Sequence, residues 1–146
     1  MATETILEPN LKQAVPFLRV ADMRTSLNFY VNGLGFEVGS KWVVDGEIRW
    51  CWLSRGGVAF MLQQFPTKGD DSWQPASSRK GDGISICVVC EDAVGLFHEL
   101  RGRGIEASRP FVGNGLWVTK VTDPDGFLID LESPADAPED TLYEEN

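Results

Sequence analysis

Val121-Thr122-Asp123-Pro124-Asp125-Gly126-Phe127-Leu128-Ile129-Asp130-Leu131-Glu132 reads as a strand, a tight turn and a second strand. Proline presets φ, aspartate caps its own backbone, and glycine accepts positive φ. After the turn the residues alternate, so Leu128, Asp130 and Glu132 share one face and Phe127, Ile129 and Leu131 the other. Two carboxylates on one face of a strand need an explanation, and what that face looks toward decides the reading of the chain.

Working outward, the same pattern occurs twice. Ala14 to Val20 reads as a strand, Asp22 as a helix cap, and Met23, Leu27, Tyr30, Val31 and Leu34 follow helical spacing. Strands are then expected over 36–44, 47–53 and 58–64, with Asp45-Gly46 as a hairpin turn. The second half repeats the order: a strand over 84–89, a helix after Asp92 carrying Ala93, Leu96, Phe97 and Leu100, and strands over 105–112, 116–122 and 127–132. The halves align as sequence. Leu27, Gly33, Gly35 and Gly57 match Leu96, Gly102, Gly104 and Gly126 at an offset of 69, and Asp22 matches Asp92 at 70. Such repetition fixes which positions are equivalent.

The expected fold is α+β: two tandem β-α-β-β-β repeats forming a curved mixed sheet, with a concave cleft and helices on the convex face. The expected divisions are a flexible arm (1–12), a first module (13–65), a linker or lid loop (66–82) containing Trp73, a second module (83–133) and an acidic tail (134–146).

Composition excludes several classes. Net charge is −9, and the last twelve residues supply −5 of it (Asp136, Glu139, Asp140, Glu144 and Glu145), leaving −4 for the rest. Binding to a phosphate backbone needs a basic surface, so nucleic acid is not an expected partner. No apolar run reaches membrane-spanning length and no signal sequence is visible. Cys51, Cys87 and Cys90 lie in apolar runs and read as reduced thiols of a cytoplasmic protein.

Phe17-Leu18-Arg19-Val20-Ala21-Asp22-Met23, then Ser26-x-x-Phe29-Tyr30-x-x-x-Leu34-Gly35-Phe36, and the opening stretch together resemble the vicinal oxygen chelate superfamily over about residues 13–133. That group includes glyoxalase I, extradiol dioxygenases, and fosfomycin and bleomycin resistance proteins. The resemblance implies metal ligands at four repeat-equivalent positions, which here are Val15, Met61, Ser85 and Asp130. Only Asp130 suits a hard divalent cation, and a catalytic site needs about three donors. The one histidine, His98, reads as a solvated residue of the second helix. No metal and no cofactor are therefore expected, and the metal-free bleomycin-resistance-like branch is the nearer likeness.

Alternation then gives the expected ligand-binding set: Val15, Phe17, Trp50, Trp52, Met61, Gln63, Ser85, Asp130 and Glu132, although which face of the strand carrying Trp50 and Trp52 looks inward stays open. An aromatic cleft with two anionic points suits a flat or cationic organic molecule. The expected function is sequestration of such a molecule without metal, in a homodimer implied by the resemblance. The alternative is a lyase, isomerase or dioxygenase-like enzyme with an atypical metal or none, in which Asp130 or Glu132 would act as general base. A sensor or carrier role is not separated from sequestration by the sequence.

Overall fold

A computed structural model describes residues 10–65, 81 and 83–145. Most of the expected arm (1–9) and of the lid loop (66–80 and 82), with Trp73, lies outside the described residues. The chain runs β1 (Phe17–Val20), α1 (Met23–Leu27) widening into a π-helical stretch (Asn28–Gly33), β2 (Glu37–Val44), β3 (Glu47–Arg55) and β4 (Val58–Gln64). The second repeat is β5 (Ser85–Val89), α2 (Ala93–Gly102), β6 (Phe111–Gly113), β7 (Leu116–Thr122) and β8 (Leu128–Pro134).

The two-repeat α+β architecture is the one expected, with the strands divided between two sheets. One is ordered β1-β4-β3-β2 and the other β5-β8-β7-β6. In each, the first strand pairs parallel with the last and the other pairings are antiparallel. Two local expectations change. The strand expected over 105–112 shortens to Phe111–Gly113; before it only Ala107 bridges Val121, and Pro110 offers no N–H. Asp22 does not cap α1: its carboxylate accepts from the Thr25 hydroxyl (2.6 Å), while the Met23 amide donates to Gln64 Oε1 (2.7 Å). Asp92 does cap α2, through the Gly95 amide (2.9 Å).

One core joins the repeats. Leu18, Cys51, Leu53, Phe60 and Leu62 from the first sheet meet Val121, Ile129 and Leu131 from the second, with Tyr30, Leu34 and Leu100 between them. The helix-bearing faces of both sheets therefore turn inward, and their opposite faces are left open. Burial pushes the Cys51 thiol up to about 11. Polar contacts pin the repeats together. Tyr30 donates to the buried carboxylate of Asp123 (2.8 Å), Arg55 pairs with Glu99 (2.8 Å), and Arg103 donates to the Gly33 carbonyl (3.2 Å). Gly33 lets Ile105 pack close: a Cβ here would lie 2.5 Å from Ile105 Cδ1, and that side chain would have to move.

The acidic tail docks on the outer edge of the second sheet. The Val112 amide donates to Thr141 and the Asp140 amide to Val112, both at 2.9 Å. Glu139 accepts from the amides of Asn114 and Gly115 (3.0 and 2.6 Å).

Asp123 also accepts from the amides of Asp125 (2.9 Å) and Phe127 (2.8 Å). Removing this side chain strands three donors, so Asp123→Ala should lower unfolding free energy by about 3 kcal/mol in urea titrations, and Tyr30→Phe by about 1–2 kcal/mol. Burial, opposed by the Tyr30 and amide hydrogen bonds, holds the Asp123 carboxyl above its ordinary value. A raised folded pKa contributes stability below the unfolded pKa (about 3.9), lost as pH rises through the folded one. Relative to Asp123→Asn, the native protein should therefore gain stability on acidification through that window.

Candidate functional site

Register decides which side chains share a face, because directly paired residues project together. Met61 pairs with both Phe17 and Trp52, and Gln63 with both Arg19 and Trp50. Cys51 and Leu53, between the tryptophans, are wholly buried. The open question about β3 is thereby answered: Trp50 and Trp52 lie on the open face with Phe17, Met61 and Gln63. Trp42, 54% exposed, is paired with Trp50 from the edge strand. Phe65 stands edge-on to Phe17 at 6.4 Å, and the Arg19 guanidinium lies 4.5 Å over its ring. Val15 is half-buried just before β1.

The second sheet's corresponding face carries two carboxylates, Glu132 half-buried and Asp130 only 8% exposed. Ser85 pairs with Leu128, Cys87 with Asp130 and Val89 with Glu132 across β5 and β8. Lys120 on β7 faces Asp130, its ammonium 3.2 Å from the carboxylate. Ser85, Asp130 and Glu132 thus form one group, and Val15, Phe17, Trp50, Trp52, Met61 and Gln63 another. The two groups lie on different sheets, each on the face opposite the common core. Trp117 belongs to neither group; its ring lies edge-on to Tyr143 of the tail at 6.2 Å. His98 is half-exposed and shares a hydrogen bond with Tyr143 (2.9 Å).

Sequence reasoning missed Trp42, Phe65 and Lys120 as members of these faces. A bulge in β2 hides the phase of Trp42, and Lys120 is found only through its cross-strand partner Asp130.

The metal positions implied by the resemblance fail a donor test. They offer an aliphatic group, a thioether, a hydroxyl and one carboxylate, divided between the two sheets, and that set does not fit a hard divalent cation. Among the described residues, the potential ligand atoms of Cys87, Asp130 and Glu132 lie within 4.8 Å of one another. Lys120 already neutralises part of that cluster.

A model of the Glyoxalase/Bleomycin resistance protein/Dioxygenase superfamily matches residues 11–131. The chain belongs to this superfamily. No curated protein sequence matches it. Among solved structures it is similar to a bleomycin-binding protein complexed with bleomycin (23% identity, TM-score 0.63, covering 84% of this chain and 98% of that one). It is also similar to TioX from Micromonospora sp. ML1 (19%, TM-score 0.63, 84% and 99%) and to TnmS3, an antibiotic binding protein from Streptomyces sp. CB03234 (21%, TM-score 0.59, 85% and 98%). At these identities the likeness establishes the superfamily fold.

Burial first, and then the Glu132 and Asp130 carboxylates, hold the exposed Cys87 thiol above its ordinary value. Glu132→Gln should therefore raise the reaction rate of Cys87 with a disulfide reagent several-fold at pH 7.5, read against Cys87→Ser as background.

Proposed function

We propose that this protein sequesters a small aromatic or cationic organic molecule without a metal, in a cleft that a second copy completes. One observation carries the reading: opposite the shared core, the first sheet presents an aromatic face and the second a face bearing Asp130, Glu132 and Lys120. On the first sheet Phe17 is 42% and Trp42 54% exposed, and with Trp50 and Trp52 they make one contiguous apolar patch. In a homodimer, the aromatic face of one copy set against the acidic face of its partner makes a two-sided site, repeated by symmetry. Phe17, Trp50, Trp52 and Met61 supply stacking area; Val15 and Gln63 border it. Ser85, Asp130 and Glu132 supply polar and anionic points for a cation.

The binding of bleomycin by one structural relative and of an antibiotic by another supports a small-molecule ligand. Free cysteines support a cytoplasmic setting, and no helix among the described residues is long and apolar enough to cross a membrane. The competing reading, an enzyme of this fold with an atypical metal, draws on the Cys87–Asp130–Glu132 cluster.

Titration with planar cationic natural products should quench tryptophan fluorescence without turnover. Trp50→Ala or Trp52→Ala should weaken binding about tenfold or more, and Asp130→Asn should do so selectively for cations. Light scattering should give twice the chain mass. A monomer, or absence of quenching across a broad panel, sinks the proposal. Stoichiometric metal with turnover on a small oxygenated substrate installs the enzyme reading instead.

A further inference from the structure

The internal repeat makes the two module contacts comparable, and they are not alike. Where α1 meets the β7–β8 turn, the space is filled. The Asp125 carboxylate accepts from the Ala21 amide (3.1 Å) and lies 3.5 Å from the Ser26 hydroxyl, while Asp123 takes the Tyr30 hydroxyl. Adding or subtracting the repeat offset of 69 turns Asp125 into Gly56, Ser26 into Gly95 and Tyr30 into Glu99. Where α2 meets the β3–β4 turn the contact is therefore made by other groups: the Asp92 carboxylate fills the space beside Gly95, a Cβ there lying 2.4 Å from it. Glu99 reaches sideways to Arg55 instead.

Beside this contact is a cavity of about 760 Å³. Val58, Val88, Val89 and Leu96 give it an apolar wall, backed by the packed core residues Phe60, Leu100 and Ile129. Its volume is that of a small-molecule site. It lies between the β3–β4 turn, the end of β5 and the start of α2, and meets the second sheet's outward face only at Val89. Its charged lining residues are Arg55, Glu91, Asp92 and Glu99. Arg55 and Glu99 neutralise each other; Arg103, outside the lining, shares Glu99 at 3.1 Å. Glu91 and Asp92 leave the mouth acidic, Asp92 while capping α2.

We propose that this cavity is a second binding site, for a cationic amphiphile: an apolar chain or ring body inside, with an ammonium at Glu91 and Asp92. The apolar lining selects the body and charge complementarity selects the head. All of its lining residues belong to one chain.

The test uses the full chain and two probes of equal chain length, octyltrimethylammonium and octanoate, followed by methyl and indole NMR. The ammonium should saturably shift the methyls of Val58, Val88, Val89 and Leu96, with octanoate at least about tenfold weaker. A Cβ at Gly57 meets open space and its φ is ordinary, so Gly57→Trp should fold and block the mouth. Leu96→Trp fills the cavity independently, and either variant should abolish the shifts. Glu91→Gln should weaken the ammonium several-fold and leave octanoate unchanged or tighter. Octanoate binding as well as the ammonium, shifts surviving both tryptophan variants, or no saturable methyl shift each overturn the proposal. Shifts confined to the Trp50 and Trp52 indoles also overturn it, while leaving the outward-face reading intact.

Discussion

The carboxylate of Asp123 is the point on which both repeats bear. One oxygen accepts the amides of Asp125 and Phe127 and so closes the β7–β8 turn; the other accepts the Tyr30 hydroxyl from the first repeat. A charge 4% exposed is costly unless every lone pair in reach is used, and here three donors converge on it. The turn sets the phase of β8, which puts Ile129 and Leu131 into the core and Asp130 and Glu132 on the open face. Local turn chemistry, module docking and the position of the acidic face thus share one group.

Much of this was legible in the sequence. The turn, the alternation after it and the repeat offset placed Asp130 and Glu132 on one face, and Cys51 and Leu53 lay in an apolar run whose phase only the partner strand could fix. Register against Met61 and Gln63 supplied that phase. The direction in which two modules pack was not legible, because an alternating strand offers the same pattern whichever side its neighbour approaches. Phe17 and Asp130, expected to line one cleft, lie on different sheets of the chain. Asp22 looked like a cap equivalent to Asp92, but Gln64 from β4 reaches the Met23 amide first, a contact with no local signal. Trp117, equivalent by position, turns toward the tail.

The repeats are similar in backbone and unlike in chemistry, and the differences are concentrated where they meet. Aromatic area lies on the first sheet and carboxylates on the second. One helix terminus is met by two aspartates, the other by glycines. A duplicated unit whose copies kept the scaffold and exchanged the side chains gives two different surfaces at the cost of one fold. Of the four positions that the family resemblance implies, Asp130 alone is a carboxylate, and the Lys120 ammonium lies 3.2 Å from it.

The docked tail has a consequence for how copies of this chain can add to one another. β6 is three residues long, and its free side is taken up by Asp140 and Thr141, with Glu139 plugging the adjacent turn. An uncovered edge would be a template for another strand. Here the chain spends its own C-terminal residues as a terminator. Sheet extension is stopped on that side, so assembly through the second sheet is steered to its face and to β5, and an open-ended fibre through β6 is closed off from the start.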